Sequence, residues 1–268
     1  MESITGEKFA VQSVNPAAPY IGGKRNLAKR LTAMISSVPH DAYAEPFVGM
    51  GGIFFRRTSR PKAEFINDYS RDVATFFRIL QRHYAEFMRM LEFQLTTRAD
   101  FERLMQTNPD TLTDLERAAR FLYLQRTSFG GKVRGRVFGV SYDRPARFDL
   151  PRLRSDLANI YERLASVTIE CLGYAEFIRK YDRPGTLFYL DPPYYDCEND
   201  YGLNAFSKAD YDALRGVLSG LSGRFIMSIN DRPEMRALYQ AFKIEEVGVS
   251  YSVGTGTTKA KELIISNL

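Results

Sequence analysis

Leu187-Phe-Tyr-Leu190-Asp191-Pro192-Pro193-Tyr194-Tyr195 runs an apolar, aromatic-rich strand straight into a carboxylate, two prolines and two rings. The apolar run has the length and composition of a buried strand, and the prolines end it. Proline has a fixed φ and no N–H, so the pair holds the Pro192 carbonyl in one place beside the Asp191 carboxylate. With proline near 5% of residues, a Pro-Pro pair arises by chance at roughly one position in 400. A strand-ending turn with a buried tyrosine reads the same way. A more specific chemistry that uses this order is methyl transfer to the exocyclic amino group of a nucleobase. Such an amine is a poor nucleophile because its lone pair is conjugated into the ring. Two fixed acceptors, Asp191 and the Pro192 carbonyl, pull the nitrogen toward tetrahedral geometry, and Tyr194 offers a face for the base.

Outward from this stretch, strands and helices alternate. Strands are predicted at 42–48 and 63–67, then at 167–171, 186–190 and 224–229, with a terminal pair at 243–252 and 261–266. Val73, Phe76, Phe77 and Leu80 follow helical spacing after the second strand, and helical periodicity continues to about Arg126. Thr113 with Glu116 reads as a capping box for a helix over 114–124, and Ser207 with Asp210 as a helix start. Further helices are predicted over 151–164, 175–181 and 233–242. Residues 130–142, rich in glycine and alternating apolar with polar, predict a β-hairpin. Alternation at both ends around a helical and hairpin stretch implies an α/β sheet domain carrying an insertion. In open sheets of this kind ligands sit at the carboxyl ends of strands, where Asp191 falls.

Composition narrows the classes. The chain has 268 residues, 44% hydrophobic and 26% charged, as in ordinary globular proteins, and no apolar run approaches the ~20 residues of a membrane span. The start, M-E-S-I-T-G-E-K, shows no apolar segment or cleavage site, and Cys171 and Cys197 are the only cysteines; a cytoplasmic setting is expected. His40 and His83 stand without the Cys-x-x-Cys pair of a zinc deaminase, which excludes that class; no metal is expected. The net charge is only +5, but eight basic residues lie between 121 and 154 (Arg126, Lys132, Arg134, Arg136, Arg144, Arg147, Arg152, Arg154) against Asp143 and Asp149. A basic segment interleaved with glycine and aromatics, on a near-neutral body, is the footprint of a nucleic-acid contact.

Glu45-Pro-Phe47-Val-Gly49-Met-Gly51-Gly52 follows the first strand and opens a helix, where glycines let backbone approach a ligand. Phe54 occupies the place of the third glycine of a dinucleotide fingerprint, which argues against a nicotinamide cofactor. Asp68 ends the second strand, where an acid meets ribose hydroxyls in nucleoside-binding sheets. Pro19-Tyr20-Ile-Gly22-Gly23-Lys24 sets an aromatic, two glycines and a lysine together: Tyr20 suits an adenosine or sulfonium pocket, and Lys24 a carboxylate.

Taken together, from about Tyr20 to Ile265, these segments resemble the DNA adenine (N6) methyltransferases related to the bacterial GATC-methylating enzyme. The order is that family's: aromatic-x-Gly-Gly-Lys, the Glu-Pro-Phe-x-Gly-x-Gly turn, an acid after the second strand, a target-recognition insertion, then Asp-Pro-Pro-Tyr. The resemblance implies a Rossmann-like S-adenosylmethionine-dependent methyltransferase sheet of residues 1–75 and 155–268, with residues 76–154 as a helical and β-hairpin target-recognition insertion. It implies S-adenosyl-L-methionine held by Tyr20, Lys24, Phe47, Gly49, Gly51, Asp68, Gly173, Tyr174, Glu176 and Asp191. Catalysis falls to Asp191, Pro192, Pro193 and Tyr194 acting on an adenine flipped from double-stranded DNA, since its amino nitrogen is out of reach in the stack. DNA contact falls to Arg126, Phe129, Lys132, Arg134 and Arg136. Gly130 stands where the family enzyme has an asparagine, so no recognised site is assigned. A loop from Tyr195 to Phe206 is expected to close over the base. Cytosine N4, RNA, or a DNA-binding role without catalysis remain the alternatives that nucleoside analysis and donor binding separate; the oligomeric state is left open, a monomer being compatible with the sequence.

Overall fold

A computed structural model describes residues 4–140, 142–143, 145–198, 206–253 and 256–268. Arg144, of the basic segment, and residues 199–205, most of the expected closing loop, lie outside the described residues.

The predicted strands form one seven-stranded sheet. We label them β1 (Ala42–Glu45), β2 (Ala63–Asn67), β3 (Val167–Glu170), β4 (Thr186–Leu190), β5 (Arg224–Asn230), β6 (Lys243–Val253) and β7 (Gly256–Ser266). Their spatial order is 3-2-1-4-5-7-6, parallel except for β7, which pairs antiparallel with β5 and β6. This is a Rossmann-like doubly wound sheet. Its order reverses between β1 and β4, so the connections leaving these two strands diverge and open a crevice at their carboxyl ends.

The central strands β1, β4 and β5 are buried on both sides because both faces of the sheet are covered there. Successive residues of β4 point to opposite faces. Leu187 and Tyr189 join a core with the helices α1 (Ala28–Ser37), α2 (Arg71–Arg82), α3 (Tyr84–Leu91), α4 (Arg98–Gln106), α5 (Asp114–Thr127) and α6 (Leu150–Leu164). Phe188 and Leu190 join a second core with α7 (Tyr174–Tyr181), α8 (Lys208–Ser219) and α9 (Pro233–Leu238). Phe87, Phe101 and Phe121, from the stretch 76–154, belong to the first core together with Tyr43 and Ile66 of the sheet. Both expected capping boxes are formed, Thr113 with Glu116 and Ser207 with Asp210.

One expectation is corrected. Residues 130–142 do not make a β-hairpin among the described residues. A single bridge joins Ser128 to Phe138, flanked by hydrogen bonds from Phe129 N–H to the Val137 carbonyl (2.8 Å) and from Gly139 N–H to the Thr127 carbonyl (2.8 Å). The loop thus closes against the end of α5. Gly130, Gly131 and Gly135 all take positive φ, which turns the chain where a ladder needs extended backbone, and the Gly131 carbonyl accepts from Ile21 N–H instead of a cross-strand neighbour.

Candidate active site

The crevice at the ends of β1 and β4 holds a cavity of about 890 Å³. Its walls come from five stretches: residues 15–25, the end of β1 with the turn after it, Asp68-Tyr69-Ser70 after β2, Gly173-Tyr174 at the start of α7, and Tyr189, Asp191 and Pro193 at the end of β4. Phe206 and Asp210 close one end.

The glycine turn is built for close approach. Gly49 takes φ +51°, and a Cβ there would lie 3.1 Å from the Tyr20 ring. Its N–H donates to Asp68 Oδ2 (2.9 Å), while Ser70 N–H donates to Asp68 Oδ1 (2.9 Å). Burial still pushes the Asp68 carboxyl up to about 6. Gly51 serves packing instead. It lies outside the cavity wall at φ +71°, and a Cβ would sit 2.4 Å from the Phe55 ring. At the far end Phe47, Tyr174 and Phe206 form an aromatic cluster with centroids 5.5 to 5.9 Å apart. The Tyr174 hydroxyl is tied to Asp210 Oδ1 (3.0 Å), and Gly173 lines the cavity beside it. Glu176, on α7, is exposed and does not line the cavity.

Asp191 opens onto the same cavity. Lys24, expected to face a donor carboxylate, instead pairs with Asp191 Oδ1 at 2.5 Å and lies over the Tyr194 ring, 4.3 Å from its centroid. The short Gly22-Gly23 turn brings it there, with its ammonium also donating to the Gly22 carbonyl (3.1 Å). Burial raises the Asp191 carboxyl to about 6, against the pull of Lys24. Ser228 Oγ lies 3.4 Å from Asp191 Oδ1 and 2.7 Å from the Tyr189 hydroxyl. Pro192 and Pro193 are buried, and the Pro193 carbonyl accepts from the Tyr211 hydroxyl (3.0 Å).

Two residues that the sequence marked only as part of a turn and of a strand end shape this region. Glu45, the first letter of the glycine turn, is buried on the cavity wall and accepts from the Tyr43 hydroxyl (2.7 Å). Desolvation raises its carboxyl to about 8, more than Tyr43 can offset. Asn230, at the end of β5, clamps Tyr195 from both sides: its Oδ1 accepts from Tyr195 N–H (2.9 Å) and its Nδ2 donates to the Tyr195 carbonyl (3.0 Å). The Ile-Asn-Asp run was visible as a strand end, but its partner is 35 residues away.

The basic segment divides in two. Phe129, Lys132 and Arg134 are exposed. Arg126 and Arg136 are turned inward. The Arg126 guanidinium donates to the carbonyls of Ala17 (2.5 Å) and Arg147 (3.2 Å). That of Arg136 donates to Gln125 Oε1 (3.0 Å) and the Lys132 carbonyl (3.1 Å).

Residues 20–253 match the model of the D12 class N6 adenine-specific DNA methyltransferases. The chain belongs to that family. Among curated relatives, type II methyltransferase M1.LlaDCHI of Lactococcus lactis subsp. cremoris is 26% identical over 95% of this chain and 96% of its own. Type II methyltransferase M.MjaIII of Methanocaldococcus jannaschii is 24% identical over 95% and 99%. The solved structure of yhhF from Escherichia coli overlays 98% of this chain and 99% of that one, with a TM-score of 0.40 and 10% identity. This adenine-specific DNA methyltransferase aligns with these relatives over nearly its whole length. Among its described residues no helix is long and apolar enough to cross a membrane.

Proposed function

We propose that the enzyme methylates the N6 amino group of an adenine swung out of double-stranded DNA at a defined site, with S-adenosylmethionine as donor. The observation that carries this reading is that Asp191 and the Phe47–Tyr174–Phe206 cluster open onto one cavity, so a nucleoside donor and a target base would meet at the carboxylate. The residues suit the donor: the Gly49 backbone and Tyr20 ring for its body, Asp68 for ribose hydroxyls, and the aromatic cluster with Gly173 for its adenine. When bound, S-adenosylmethionine supplies an electrophilic methyl group on sulfur.

The protein's own work is positioning and electrostatic preorganisation. Asp191 and the Pro192 carbonyl accept the two amino hydrogens, which frees the nitrogen lone pair. Tyr194 stacks on the base, and Lys24 gives up that ring face to it while neutralising Asp191. After transfer the surplus proton leaves the nitrogen through Asp191. Phe129 enters the vacated stack, while Lys132 and Arg134 meet phosphates or guanine edges. Arg126 and Arg136 hold the loop that presents them. Similarity to type II methyltransferases supports action at a defined sequence.

Asp191→Ala tests the reading: tritium transfer from labelled donor to duplex DNA is expected to vanish while DNA binding persists. Transfer at the unaltered rate ends the proposal. So does nucleoside analysis of the product that finds 4-methylcytosine, or label in RNA alone.

A further inference from the structure

Residues 17–21, which border the cavity, and the basic loop meet at a small set of hydrogen bonds centred on one buried amide. Gln125 lies at the last turn of α5, fully buried. Its Nε2 donates to the Pro19 carbonyl (2.8 Å) and to the Gly131 carbonyl (2.6 Å), and its Oε1 accepts from Arg136 (3.0 Å). Ile21 N–H donates to the same Gly131 carbonyl (3.1 Å). Gly131 fits because it has no side chain: a Cβ would fall 2.9 Å from the Pro19 carbonyl group.

Each end of this junction leads to chemistry. Gly131, between exposed Phe129 and Lys132, belongs to the loop proposed above to meet DNA. Pro19 and Ile21 flank Tyr20, whose ring fills the space above Gly49. Three residues further on, Lys24 touches both Asp191 and Tyr194. A shift of the loop on DNA is therefore felt at the Pro19–Lys24 segment, because the shared carbonyls cannot move apart without leaving buried polar groups unpaired.

We infer that Gln125 is a positioning residue that couples recognition of DNA to the donor pocket, so that a correctly seated recognition loop sets Tyr20 and Lys24 for transfer. The inference rests on the donor and substrate proposed above. Coupling is a free energy between two sites, equal in both directions, and is measured as a ratio of affinities. The experiment is calorimetry of S-adenosylhomocysteine binding, with and without a saturating duplex carrying the site mapped by sequencing methylated DNA. Wild type is expected to change its donor Kd about fivefold or more when DNA is added, within the usual range for coupled sites. Gln125→Met, close in shape but without the amide, is expected to bring that ratio to within twofold of one while donor affinity without DNA stays within twofold of wild type. If that variant does not fold, Arg136→Met, which withdraws the Oε1 partner and leaves the amide less firmly fixed on the two carbonyls, is expected to bring the ratio at least halfway to one, and an unchanged ratio there overturns the inference as well. A wild-type ratio of one, or a variant that keeps the wild-type ratio, overturns the inference and leaves the methyltransfer reading standing. Failure of wild type to bind S-adenosylhomocysteine at all takes both down.

Discussion

At the scale of single residues, the site is a collection of carboxyls held where water is scarce. Asp68, Asp191 and Glu45 are all raised by burial, and they differ in what pulls the other way: backbone N–H groups for Asp68, Lys24 for Asp191, the Tyr43 hydroxyl for Glu45. Glu45 ends with the highest value, so near neutral pH it carries its proton. The folded state then binds more protons than the unfolded chain between the ordinary glutamate range and about 8. Stability consequently falls as pH rises through that window and the loss is complete above it. Glu45→Gln keeps an acceptor for Tyr43 and removes the titration. Thermal melts are expected to place the variant within about 2 °C of wild type at pH 5, and above it by roughly 5 °C or more at pH 9. Parallel curves for the two proteins across this range would show that the carboxyl is not held as described.

At the scale of elements, the Asp-Pro-Pro-Tyr stretch is a rigid strand end with a buttress. The prolines stiffen its first half, and the Tyr211 hydroxyl holds the Pro193 carbonyl. The second half, where the chain turns at Asp196 with φ +67°, is held by Asn230 of the neighbouring strand. Asn230→Ala leaves both Tyr195 backbone groups without that partner and lets Tyr194 and Asp191 drift. Since misplacement of about 1 Å costs on the order of 100-fold in rate, single-turnover methylation is expected to slow by roughly 10- to 100-fold while donor Kd changes less than about twofold. An unaltered single-turnover rate would assign Asn230 to stability alone.

At the scale of the whole molecule, the charge distribution matters more than its total. The inward turn of Arg126 and Arg136 leaves Lys132 and Arg134 as the exposed cations of the glycine-rich turn at 130–136. Each phosphate contact contributes about 0.9 to the slope of log affinity against log salt. Lys132→Ala with Arg134→Ala is therefore expected to flatten that slope by about 2 without lowering Tm, whereas Arg126→Ala is expected to lower Tm because it abandons the carbonyls of Ala17 and Arg147. An unchanged slope in the double variant would move the DNA contact elsewhere on the surface. The core spans this scale too: the stretch 76–154 shares one apolar cluster with the sheet, and α2 runs through residue 75 without interruption.

The amino-acid sequence by itself determined the alternation of strands and helices, both capping boxes and the carboxylate at a strand's end, because periodicity, caps and proline act within a few residues. Ala63–Asn67 and Thr186–Leu190 were legible to the residue. The glycine-rich loop was not, since its alternation imitates a strand while positive φ at three glycines and a bond to Ile21 decide otherwise. Only the tertiary structure decided that Lys24 meets Asp191, that Asn230 clamps Tyr195, that Gln125 joins two distant loops, and which arginines face inward. Apart from the short steps from Gln125 to Gly131 and from Arg136 to Lys132, those pairings span from 11 to 167 positions and arise where chain segments converge, so no local pattern carries them.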